Sequence, residues 1–125
     1  MKKLLLSVFA LSAMVFSVVS TAATPTKNQD GVVEIYLEQH GGHFTARDTL
    51  AGLKPGKYQF IIENKTNKLV GFQLQNFTTK AQLDMFPLEV GQTKRTDVVE
   101  VTEEGVRFRC PINPTPWYDI DGIRG

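Results

Sequence analysis

Apolar and polar residues trade places with a period of two in several short stretches of this 125-residue chain. The run "VVEIYL" (32–37) alternates from Val33, and the run from Lys57 to Glu63 sets Tyr58, Phe60 and Ile62 on one side. "LVGFQLQNF" (69–77) alternates through Val70, Phe72 and Leu74. "VRFRC" (106–110) places Val106, Phe108 and Cys110 opposite Arg107 and Arg109. Period-two alternation with β-branched and aromatic content is the pattern of half-buried strands. Another strand is expected near 95–101. Turn material separates these runs: the glycines of "HGGH" (40–43), the Pro55-Gly56 pair, "NKTNK" (64–68), Gly91 and "TEEG" (102–105). After the N-terminal run no segment carries an amphipathic helix of normal length; only "TTKAQLDMF" (78–86) offers one short helical turn. Five to eight short strands with regular turn signals predict one all-β sandwich. Its core should hold Tyr58, Phe60, Phe72, Leu74, Val106 and Phe108.

The N-terminus follows a different rule. Lys2 and Lys3 precede a run from Leu4 to Val19 that is apolar except for three serines. Small residues at Ser20 and Ala22, or Thr21 and Ala23, supply the spacing of a signal-peptidase site. The run is short for a membrane span and has a cleavage site behind it. Residues 1–23 are therefore expected to be a cleaved signal peptide, residues 24–31 a flexible N-terminus, and residues 32–125 the folded domain. No stable membrane insertion is expected after cleavage. The "KKLLL" start suggests bacterial export, which makes the periplasm the expected compartment.

Charge and cysteine count narrow the function classes. Outside Lys2 and Lys3 the chain holds twelve basic and thirteen acidic residues without a basic run. Near-neutral charge argues against nucleic acid or an anionic membrane as partner, and a monomer is expected. One cysteine cannot close an internal disulfide, so stability must come from the core. Cys110 must be buried, ligated or paired with another molecule.

The stretch "LKPGKYQFIIENKTNKLVGFQLQ" (53–75) resembles the cupredoxin core, in which a G-x-Y-x-F-x-x-x-N strand meets a short polar turn and another strand. It resembles in particular the cupredoxin-like module of periplasmic Efe-type iron-uptake proteins, which share the "FII-N" run and a late "C…NP…G" segment. The resemblance covers about residues 32–125. It implies a Greek-key cupredoxin-like β-sandwich with Cys110 at the strand end where cupredoxins hold a copper-binding cysteine. Three departures matter. Asn113 stands where the family's C-x-x-H has histidine, no methionine follows Cys110, and Leu69, Val70 and Gly71 occupy the place of the other histidine. Blue-copper electron transfer needs two imidazoles and a thiolate around the metal, so a conventional electron carrier is not expected.

The ligand types that remain define a nonstandard candidate metal site of Cys110, His40, His43 and Met85, with copper as the favoured ion. His40 and His43 flank Gly41-Gly42, and a tight turn there brings their imidazoles within reach of one ion. Each candidate has a plainer alternative. The histidines can be solvated turn residues, Cys110 a small buried hydrophobe, and Met85 core filling between Leu83 and Phe86. Trp117 and Tyr118, in the proline-rich loop with Pro114 and Pro116, line a partner surface or plug one end of the sandwich. Asp119 and Asp121 lack the loop that calcium requires. Cysteine-nucleophile catalysis needs a positioned base, and neither histidine belongs to a catalytic signature, so no enzyme activity is expected. Two functions follow: transition-metal binding or delivery at the nonstandard site, or a metal-free accessory module that binds a periplasmic protein partner.

Overall fold

The alternating runs become strands in a computed structural model that describes residue 25, residues 27–112 and residues 114–125. The expected signal peptide lies outside the described residues, as does Asn113. Among the described residues nine strands follow in chain order: β1 (Val32–Gln39), β2 (Phe44–Ala46), β3 (Gly56–Asn64), β4 (Val70–Asn76), β5 (Gln82–Leu88), β6 (Thr93–Arg95), β7 (Val99–Val101), β8 (Val106–Arg109) and β9 (Tyr118–Ile120). No helix occurs among the described residues.

The strands form two sheets. One has the order β2-β1-β3-β6, with β7 also pairing β3. The other has the order β5-β4-β8-β9. Every pairing is antiparallel except β1 with β3, which run parallel from Val32 opposite Lys57 to Gln39 opposite Asn64. Because side chains alternate across a strand, each sheet turns one apolar face inward. Val33, Ile35, Leu37, Tyr58, Phe60 and Ile62 from the first sheet meet Val70, Phe72, Leu74, Val106 and Phe108 from the second. All six residues expected in the core are buried.

Aromatic rings dominate the contact between the sheets. Phe108 lies within 5.1–6.5 Å, centroid to centroid, of Phe44, Phe60, Phe72 and Tyr118. Tyr118 stacks on Phe108 at an interplanar angle of 6°, and its hydroxyl accepts the Phe44 N–H at 3.0 Å. The last strand is thereby tied to the first hairpin. Tyr118 serves the interior, and Trp117 on the opposite side of the chain does not plug the sandwich.

Residues 78–86 depart from the short helical turn expected there. Asn76 Oδ1 instead accepts the Thr78 and Thr79 N–H groups, Lys80 turns through a φ of 67°, and strand β5 begins at Gln82. A register shift opposite Leu74 and Gln75 leaves Leu83 as an extra residue, which breaks the alternation that would have marked the strand. Pro87 is tolerated because β5 has a neighbour on one side only. Gly105 is required before β8: its φ is 82°, and a Cβ there would stand 2.7 Å from the Ile120 carbonyl oxygen.

Candidate functional site

The cysteine, the histidine pair and the buried polar residues Gln39 and Asn64 share one end of the sandwich. β1 and β3 finish there, β4 begins there, and β8 runs antiparallel to β4 to deliver Cys110 beside them. Gln39, the last residue of β1, is fully buried. Its Oε1 accepts the Gly41 N–H at 2.7 Å, and its Nε2 donates to the Gly71 carbonyl at 3.1 Å. One side chain therefore joins the "HGGH" turn to the opposite sheet.

The Gly-Gly turn behaves as its spacing predicts. His40 donates its backbone N–H to the His43 carbonyl at 2.9 Å, and the two imidazoles stack with centroids 4.8 Å apart. His40 Nε2 also lies 3.0 Å from Thr45 Oγ1 and 3.4 Å from Glu38 Oε1. His43 is exposed. Alongside, Tyr36, Glu38, Thr45, Arg47, Glu63 and Thr93 contribute to a cleft of about 290 Å³ on the outer face of the first sheet.

Cys110 has a different setting. It is fully buried, part of the apolar core, and donates its N–H to Thr115 Oγ1 at 3.2 Å. A thiol so enclosed has no access to a second molecule's cysteine. Gly71 is the last of the three residues, Leu69 to Gly71, in the place where the resemblance implies a histidine. A Cβ there would stand 3.3 Å from Pro111 Cδ and 3.4 Å from Ile112 Cδ1, so the loop after Cys110 lies directly on the β4 backbone.

Met85 faces away from the cysteine. It pairs in register with Gln73, which also pairs with Arg109, so these three share the outer face while Cys110 faces inward. Met85 is 49% exposed rather than core filling; with Phe86, Pro87, Pro111 and Ile112 it lines an open apolar groove of about 320 Å³. Among the described residues, no group of three or more His, Cys, Asp and Glu side chains is placed to hold one ion.

The feature that sequence reasoning missed is the outer face of the second sheet. The Arg107 guanidinium carbon lies 3.8 Å from the centroid of the Trp117 ring, and that of Arg109 lies 4.4 Å from it. Gln75 Oε1 accepts from Arg107 Nε and Nη2 at 3.1 and 2.8 Å, and Gln73 Oε1 accepts from Arg109 Nε at 3.0 Å. Gln73 in turn donates to Gln82 Oε1 at 2.9 Å. The outward position of both arginines was legible from the alternation. Their contact with Trp117 depends on β9 pairing with β8, which no local signal announces. Comparison with protein-family models and with curated proteins finds no match for the chain.

Proposed function

We propose that the chain is a cupredoxin-like periplasmic module, exported by its N-terminal signal, that works by binding a protein partner and not by catalysis. One observation carries this reading: the loop after Cys110 is packed onto Gly71 with 3.3–3.4 Å between an added Cβ and the Pro111 and Ile112 side chains. Gly71 is one of the three residues, with Leu69 and Val70, that stand where the resemblance implies a histidine, and the space beside it is taken by neighbouring side chains. Cys110 then contributes to packing, as small buried cysteines do. Partner contact falls to the outer face of the second sheet and the loop around Trp117, where aromatic and arginine side chains are held in place. Arginine and tryptophan are the residue types that most often dominate binding energy.

Anaerobic titration with copper(I) and copper(II), followed by thermal unfolding, tests this assignment. Cys110→Ser is expected to respond to copper as the parent protein does. A copper-dependent rise in Tm that disappears in Cys110→Ser would overturn the reading, since only a ligand that favours the native state raises the melting temperature. Trp117→Ala should lose partner capture from a periplasmic extract and keep its fold.

A second reading is favoured by the 4.8 Å imidazole stack. Two histidines on a glycine turn suit copper(II), which takes imidazole readily, and rotation of the exposed His43 ring and the half-buried His40 ring would let both coordinate one ion. Copper(II) binding at the hairpin should vanish in His40→Ala or His43→Ala and be unchanged in Cys110→Ser. Titration monitored by the visible absorption of the copper checks this, and equal uptake by all three variants would remove the hairpin from consideration.

A further inference from the structure

The two arginines on β8 are fixed in place by groups that do not neutralise them. Their hydrogen-bond acceptors are the amide oxygens of Gln75 and Gln73, and their flat partner is Trp117. Among the described residues neither guanidinium has a carboxylate within ion-pairing distance. Asp119 stands opposite Arg107 in the β8–β9 register but makes no ion pair with it. Arg95, by contrast, meets Glu34 at 3.1 Å. Arg109 retains both terminal nitrogens as donors, and Arg107 retains Nη1.

The spacing of these charges is that of an extended chain. Arg107 and Arg109 are two residues apart on one face of β8, so their Cα atoms lie roughly 6.8 Å apart. Carboxylates at alternate positions of an extended peptide repeat at the same interval. The row that contains Arg109 and Gln73 ends at Met85, where the apolar groove with Ile112 begins. A ligand laid along β8 therefore meets Arg107, then Arg109, and next the apolar recess that Pro111 and Ile112 line with Met85. A polyanionic glycan or a lipid headgroup satisfies only the two cations. The near-zero charge of the chain outside its first residues also gives little long-range attraction for a membrane.

Resting on the reading of this face as a partner surface, we infer that the partner presents an extended acidic segment: carboxylates at alternate positions engage Arg107 and Arg109, and an adjoining apolar side chain enters the groove beside Met85 and Ile112. Guanidinium–carboxylate pairs give paired, directional hydrogen bonds. Because the glutamines and the indole already orient the guanidiniums, little side-chain freedom remains to be lost on binding.

The test uses the purified protein and a short fluorescent peptide with glutamates at alternate positions followed by one leucine. Fluorescence anisotropy should show saturable binding that weakens as salt rises. Arg107→Gln with Arg109→Gln should weaken it about tenfold or more, Ile112→Ser should weaken it to a lesser degree, and a peptide with glutamine in place of glutamate should not bind. Circular dichroism of each variant shows that the fold is intact. Absence of peptide binding, indifference to the double arginine substitution, or tighter binding to heparin or to phosphatidylglycerol vesicles overturns the inference. If the peptide fails while Trp117→Ala still abolishes capture of a periplasmic partner, the acidic segment is wrong and the partner reading stands. If capture is also indifferent to Trp117→Ala, both fall.

Discussion

Replacing Phe108 with alanine is expected to cost about 3–5 kcal/mol, the range for removing a buried aromatic ring. The ring is almost fully buried and sits at the centre of the aromatic cluster, with Phe44 and Tyr118 both at 5.1 Å. Its loss would open a cavity that rigid neighbours on two sheets cannot collapse to fill. It would also remove the stack that holds Tyr118, whose hydroxyl accepts the Phe44 N–H. The damage should therefore extend from the core to the β2 and β9 edges. Urea unfolding should show a lower midpoint, and amide exchange at Phe44 should rise more than the global loss of stability explains. Phe108→Leu, which keeps most of the volume, should recover more than half of the loss. A midpoint within experimental error of the parent would show that the cluster is loosely packed.

Asn64→Ala should be nearly as damaging, for a different reason. Asn64 is buried, and its Nδ2 lies 2.8, 3.1 and 3.0 Å from the carbonyls of Lys68, Leu88 and Glu89. Its Oδ1 accepts both the N–H and the hydroxyl of Thr66, at 2.8 and 2.7 Å. One side chain thus closes the turn between the sheets and ties down the end of β5. Alanine would strand several polar groups, at about 1–3 kcal/mol for each one left buried without a partner; a total near 3 kcal/mol is expected. Asn64→Asp sharpens the test. It keeps the bonds to Thr66 but turns a carboxylate oxygen toward three carbonyls, so the folded state raises the pKa of the new acid. Such a group stabilises fully below its unfolded pKa, near 4, and loses that contribution as pH rises toward the folded value. The Asp variant should therefore fall further behind the parent between about pH 4 and pH 7. Chemical unfolding at several pH values measures this, and a pH-independent difference would mean that water reaches the site.

How much of the structure could be read from the sequence depended on where a strand lies. β1, β3, β4 and β8 each have neighbours on both sides and one face against the core, so burial imposes alternation on most of their length, interrupted where Val32, Ile61 and Gly71 are covered as well. β2, β5 and β9 are edges, where pairing on one side relaxes the pattern; three-residue strands are too short to show a period. The interval read as one strand near 95–101 is two, because at Thr96 the backbone N–H still donates to the Phe60 carbonyl but the hydroxyl, not the backbone carbonyl, accepts the Phe60 N–H and then donates to the Asp97 carbonyl. The candidate site divides the same way. The proximity of His40 and His43 follows from two intervening glycines and was legible locally. The inward face of Cys110 was legible in the alternation of "VRFRC", whereas the solvent position of Met85 follows from the pairing and register shift of β5, which strand-by-strand reading does not contain.

The register shift and Pro87 on β5 have a consequence for crowding. An edge strand with unpaired N–H and C=O groups invites a second molecule to add to the sheet, and long flat edges seed fibres. On the first sheet β2 covers only Leu37–Gln39 of β1, and the earlier part of that strand is met by the Lys27–Val33 bridge and the Arg47 N–H on the Tyr36 carbonyl; β9 and the β6–β7 edge, interrupted at Thr96, are short. β5, the one edge of seven residues, carries an extra residue that twists it and a proline that cannot donate. Recognition by strand addition is discouraged along β5, and concentrated solutions of the protein should stay clear where a sandwich with a flat edge there would gel.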